Sequence, residues 1–121
     1  MKKLLIAIVL LMPLPSLAEH MDVIEFRLKE NCSFNQYLQI VAEFNAWGKE
    51  YGYQTKIASP IQNENLVSMY WLGVSANAEA FGKAWDAWRD AQSDPNSVAA
   101  KLQARFSACE ENLSRHGYDV Y

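Results

Sequence analysis

The 121-residue chain has no block of Lys or Arg longer than the Lys2-Lys3 pair, only two histidines and two cysteines. Its 11 basic side chains are outnumbered by 14 acidic ones, for a formal charge of -3. Nucleic acid needs concentrated positive charge to neutralise its phosphates, so it is not an expected partner, and an anionic membrane surface is disfavoured on the same ground. No CxxC and no His/Cys spacing of the zinc type occurs, so no metal site is expected. A Gly-rich phosphate loop, a Gly-x-Ser-x-Gly elbow, an HExxH and an EF-hand pattern are also missing, and no cofactor is implied.

What the chain does have begins with an export signature. Lys2 and Lys3 form a charged start, Leu4 to Met12 an apolar stretch, and Ser16-Leu17-Ala18 a small-residue cleavage site. The stretch is ended by Pro13 and Pro15, well short of the ~20 residues that span a bilayer. Residues 1–18 therefore read as a signal peptide and 19–121 as a single domain, periplasmic or secreted, with no membrane attachment after cleavage. Cleavage takes two basic side chains and no acidic ones, which leaves the mature chain more acidic still. Every aromatic residue lies beyond the signal, a dense supply for one small core that also favours a ligand or partner surface. An even cysteine count in an exported domain favours a disulfide, Cys32 to Cys109, worth roughly 4–5 kcal/mol in the chain-entropy treatment of so long a loop.

Alternation from Asp22 to Glu30 sets Ile24, Phe26 and Leu28 on one side and Val23, Glu25 and Arg27 on the other, which predicts a strand with one buried face. Ser33 and Gln36 have capping-box spacing, and Phe34, Tyr37, Leu38, Val41, Phe44 and Trp47 continue as an amphipathic helix that Gly52 is placed to end. Tyr53 to Ala58 reads as an edge strand, because Ser59-Pro60 interrupts its far end. Leu66 to Val74 reads as a strand apolar on both parities, and so covered on both faces. Asn77 can cap a second helix, and Asp94-Pro95 can restart it. The stripe Val98, Leu102, Phe106, Cys109, Leu113 then runs to a stop at Gly117, where His116 can satisfy terminal carbonyls, and Tyr118 to Tyr121 can make a short last strand.

The resulting order is βαββαβ, an α+β fold with an antiparallel sheet, helices on one face and the second helix broken into two. That topology brings the start of the first helix and the end of the last to one edge, where Cys32 and Cys109 stand. With Phe81-Gly82-Lys83-Ala84-Trp85 followed by Asp94-Pro95, the chain resembles the ferredoxin-like dimeric α/β-barrel superfamily. The resemblance implies two subunits packed sheet to sheet around a cavity used variously by cofactor-free monooxygenases, haem proteins and small-molecule isomerases. It transfers no catalytic residue.

Candidate chemistry is sparse. Phe81, Trp85 and Trp88 could form a stacking platform, but their spacing is that of a core stripe. Asp86, Arg89 and Asp90 read as a solvated helix face, as does Glu110-Glu111. The constellation most worth testing is on the open side of the sheet, where Glu25 and Arg27 face Ser68 and Tyr70 of the neighbouring strand. The expectation is a homodimeric module binding a small molecule or partner. A cofactor-independent monooxygenase or isomerase is the alternative, distinguished by a titratable group inside a closed cavity. A structural envelope component would show neither cavity nor ligand.

Overall fold

The computed structural model describes residues 18–121, so the expected signal peptide lies almost wholly outside the described residues. Strand β1, Glu19–Leu28, turns Asp22, Phe26 and their in-phase neighbours Ile24 and Leu28 toward the helices. Helix α1, Phe34–Gly48, opens on a complete capping box. Ser33 Oγ accepts from the Gln36 N–H at 3.2 Å, and Gln36 Oε1 accepts from the Ser33 N–H at 2.8 Å. A 3-10 turn at Lys49–Tyr51 ends at Gly52, whose φ of 67° lies in the left-handed region that favours glycine. Strands β2, Gln54–Ala58, and β3, Met69–Ser75, follow. Helix α2, Ala78–Ala91, is capped by Asn77, and helix α3, Val98–Cys109, by Ser97. Strand β4, Glu110–Val120, completes the chain.

The sheet order is β2-β3-β1-β4 with every neighbouring pair antiparallel, the split βαβ arrangement of ferredoxin-like folds. All three helices pack on the Phe26 side. Phe26, Tyr37, Ile40, Phe44, Trp71, Leu102 and Phe106 form the core there, and its rings meet mostly edge to face. The disulfide joins Cys32, just before α1, to Cys109, the last residue of α3, with Cα atoms 5.1 Å apart. The broken second helix and the β2 edge also agree with expectation.

Three expectations need correction. Strand β3 begins at Met69, so Leu66 and Val67 are exposed loop residues; Asn65 Oδ1 accepts from the N–H groups of Val67 and Ser68 and turns the chain locally. Helix α3 restarts at Ser97 because Asp94 instead closes a turn on the Asn96 N–H. The third correction is the largest. The last helix stops at Cys109, and the segment through Leu113, His116 and Gly117 is strand, so His116 caps no helix. The backbone of β1 needs a second ladder partner, and among the described residues this segment supplies it from Glu19 to Leu28.

Candidate functional site

One irregularity in β4 builds the site. Across from the Glu25/Phe26 step the register shifts, with Phe26 opposite Asn112 and Glu25 opposite Ser114, so Leu113 is an extra, bulged residue. Without the bulge, Glu110, Asn112 and Ser114 would share a face. With it, Ser114 goes to the open side and Arg115 joins Glu110 and Asn112 on the helix side. These three side chains line a cavity of about 300 Å³ between sheet and helices. Its remaining walls are mainly aromatic: Phe44 and Trp47 from α1, Trp71 from β3, and Phe81, Trp85 and Trp88 from α2.

A charged network borders this cavity. The Asp22 side chain is 3% exposed and accepts from Arg115 Nε at 2.8 Å and Nη2 at 2.6 Å. The Tyr53 hydroxyl donates to the same carboxylate at 3.0 Å and accepts from Trp71 Nε1 at 2.7 Å. Asp22 stands between Gly73 on β3 and Gly117 on β4, so neither neighbouring strand puts a side chain beside it. The Arg115 guanidinium lies over the Trp85 ring, 4.3 Å from its centroid, and near Phe81. Burial works against that charge, but the hydrogen bonds and charge of Asp22 outweigh it and hold the guanidinium above its ordinary pKa. Burial, followed by the adjacent Asp22 charge, pushes the Tyr53 phenol well up.

Glu110 is of a different kind. Its Oε2 is buried with no hydrogen-bond partner, and the Tyr37 hydroxyl is likewise buried and unpartnered. Burial raises the Glu110 carboxyl above the usual glutamate range, while the adjoining phenol of Tyr37 partly counters this by favouring the ionised form. Glu110 also closes α3, donating its backbone N–H to the Phe106 carbonyl, and the negative end of a helix further disfavours a carboxylate. A carboxyl whose ionisation is disfavoured by burial beside an aromatic cavity can accept a hydrogen bond, donate one when protonated, or exchange a proton with whatever enters.

The residues singled out from sequence lie elsewhere. Glu25 pairs with Tyr70 across the β1/β3 ladder on the open face and accepts from the Ser114 hydroxyl at 3.3 Å. Arg27 is engaged by Glu111, with Nε 2.8 Å from its carboxylate. Ser68 is buried just before β3, where its hydroxyl accepts from Asn65 Nδ2, so it is held within the loop. None of the four lines the cavity. Phe81 and Trp88 pack against the core as the stripe implied, but Trp85 is 42% exposed under Arg115, and all three face the cavity. Glu110 is not the solvated surface residue that its neighbourhood suggested.

Asp22, Tyr53, Glu110 and Arg115 were not anticipated as a group. One signal existed: Asp22 is in phase with Ile24, Phe26 and Leu28, which puts an acid on the buried face of β1. Among the described residues, no cluster of three or more His, Cys, Asp and Glu side chains could hold a metal ion.

No family model matches the chain, and no curated protein matches it in sequence. Solved structures do match in shape. A cofactor-independent oxygenase from Streptomyces nogalater, SnoaB, superposes with a TM-score of 0.57 at 11% identity, covering 86% of this chain and 94% of that one. Hydroxynitrile lyase from Passiflora edulis gives 0.55 at 14% identity over 86% and 94% of the two chains. A protein of Bacteroides thetaiotaomicron described as a possible oxidoreductase gives 0.55 at 8% over 84% and 97%. At such identities the likeness establishes the shared architecture and nothing of the chemistry.

Proposed function

We propose that this chain is an exported protein that binds a small molecule in the cavity between its sheet and helices and pairs with a second copy through its open sheet face. The observation that carries the reading is the aromatic cavity of about 300 Å³, a size suited to a compact ligand, with a few convergent polar groups in its wall. Export is supported by the Cys32–Cys109 bridge and by the start of β1 at Glu19, the residue after the expected cleavage point. The open face carries Glu25, Arg27 and Tyr70, whose role is then at the subunit contact. Ser68 supports that edge from the loop.

A second reading, a cofactor-independent oxygenase, lyase or isomerase, is favoured by Glu110, since proton transfer requires a titratable group within the cavity. Two of the structures similar in shape are described as enzymes, an oxygenase and a lyase.

Binding is tested by titrating a panel of small aromatic compounds and following tryptophan fluorescence, because three tryptophans and Trp85 face the cavity. Saturable quenching is expected for at least one compound. Ala84→Leu, which fills the cavity from α2 without touching its polar groups, should weaken that binding by about tenfold or more. No saturable change across the panel, or equal binding by the filled variant, would refute the assignment. Intact mass of the protein expressed with its leader tests export, with the mature chain expected to begin at Glu19 and to carry no alkylatable thiol.

A further inference from the structure

We propose that the cavity selects an organic cation, a quaternary or protonated amine bearing an apolar or aromatic group, with Glu110 as its counter-ion. This rests on the reading of the cavity as a ligand site and adds to it the charge of the ligand.

The hydrogen-bonding inventory of the walls leads to this choice. The indole N–H of Trp71 is donated to Tyr53 and that of Trp88 to Gln103, so both rings offer an incoming molecule carbon surface and π density in place of a donor. Gln103 is itself used on both sides, accepting from Trp88 and donating to Ser107. The Arg115 charge is met by Asp22. Of the buried polar atoms in the wall, the one left without a partner is Oε2 of Glu110, which adjoins the Tyr37 phenol; Asn112, also in the wall, is an exposed neutral amide. Ring faces beside a carboxyl that no cation meets are complementary to a cation. The structure already holds one cation in this way, since the Arg115 guanidinium rests on Trp85 and near Phe81 at the cavity's edge.

Among the described residues no cation is paired with Glu110. From α1 comes the Tyr37 phenol. From β1 come Leu28, directly opposite, and Lys29, whose ammonium is held by the Ser107 carbonyl at 2.7 Å. From α3 comes the bridged Cys109. A bound cation stabilises the carboxylate that burial disfavours, so binding is linked to loss of the Glu110 proton, and affinity increases as pH rises from the ordinary glutamate range.

Calorimetric titration of the full mature protein with benzyltrimethylammonium, with its neutral isostere in which carbon replaces nitrogen, and with phenylacetate is the test. The cation should bind about tenfold or more tighter than the isostere, with affinity rising with pH and protons released. Glu110→Gln should abolish the preference and the proton release while still binding the neutral compound. Equal or tighter binding of the isostere or of phenylacetate by the wild-type protein overturns the inference and leaves the cavity reading standing; so does a cation preference that survives in a folded Glu110→Gln. If neither these probes nor the aromatic panel bind, the cavity reading itself fails.

Discussion

The ring of Tyr53 lies across Gly73, and the phenol occupies the space where any side chain at position 73 would stand. A Cβ built there collides with the Tyr53 hydroxyl and with ring carbons Cζ and Cε2. This close approach is what lets the hydroxyl reach both Asp22, the residue opposite Gly73, and the Trp71 indole. Gly73→Ala should therefore cost about 1–3 kcal/mol by overpacking. Tyr53→Phe should cost about 1–2 kcal/mol through its lost hydrogen bonds. In the double variant the ring carries no hydroxyl to meet the new methyl, so the combined cost should be less than the sum of the two separate costs. Urea denaturation of the four proteins measures the coupling, and strict additivity would show that the hydroxyl contact is not the source of the Gly73→Ala cost.

The Asp22–Arg115 pair is unequal in its exposure, and that predicts unequal consequences. Asp22 is almost fully enclosed, whereas the Arg115 side chain is 38% exposed. Arg115→Ala strands a buried carboxylate with only the Tyr53 donor left. Asp22→Asn leaves a guanidinium that can turn toward water while the amide keeps the shape of the site. The first should cost about 3 kcal/mol, the low end for a broken buried pair because the guanidinium is partly solvated, and the second clearly less. Denaturation midpoints in which Asp22→Asn is the costlier change would contradict this account of the network.

Local chemistry made most of the fold legible. The Ser33 box, the Asn77 cap, the Gly52 turn and the 24/26/28 alternation are decided within a few residues, so a reading of neighbours captures them. The Cys32–Cys109 bridge is legible in the even cysteine count, and the topology supports it independently. The last strand was hidden because Leu113 continues the helical spacing of Phe106 and Cys109, while its true environment is a bulge opposite a strand more than 80 residues earlier. A bulge has no local signature there, and it alone decides that Arg115 and not Ser114 enters the cavity. Strand parity, which the sequence shows most plainly, points to the open face, whereas the cavity depends on the long-range pairing of β4.

Glu110 should leave a pH signature in stability. Its folded-state pKa lies above the ordinary value of 4.5, so between the two values the folded protein holds a proton that the unfolded chain has lost. The stability contributed by this group is fully present below that ordinary value and is lost as pH rises through the folded one, with a slope of at most about 1.4 kcal/mol per pH unit. Glu110→Gln removes the slope. Guanidinium denaturation of both proteins across the acid-to-neutral range should show the variant gaining on the wild type as pH rises. A difference that does not change with pH would mean that burial does not disfavour the Glu110 carboxylate.

The open face of the sheet provides the test of assembly. Tyr70, Leu72 and Val74 of β3, Val23 of β1 and Tyr118 of β4 share that side, and among the described residues no helix packs against it. Two such faces stacked about a two-fold axis would remove this apolar stripe from water, and symmetric pairs are the commonest soluble assemblies. Tyr70 sits directly opposite Glu25, so Tyr70→Asp places two carboxylates side by side in the middle of the stripe, where they repel each other and resist desolvation. That variant should remain folded and sediment as a monomer. Asp86→Ala, on the exposed side of α2 where Asp86 only meets Arg89 in solvent, should leave the assembly unchanged. A wild type that is monomeric at micromolar concentration refutes the pairing altogether. A dimer that survives Tyr70→Asp moves the interface to another face while leaving the sheet–helix cavity, which lies within one chain, untouched.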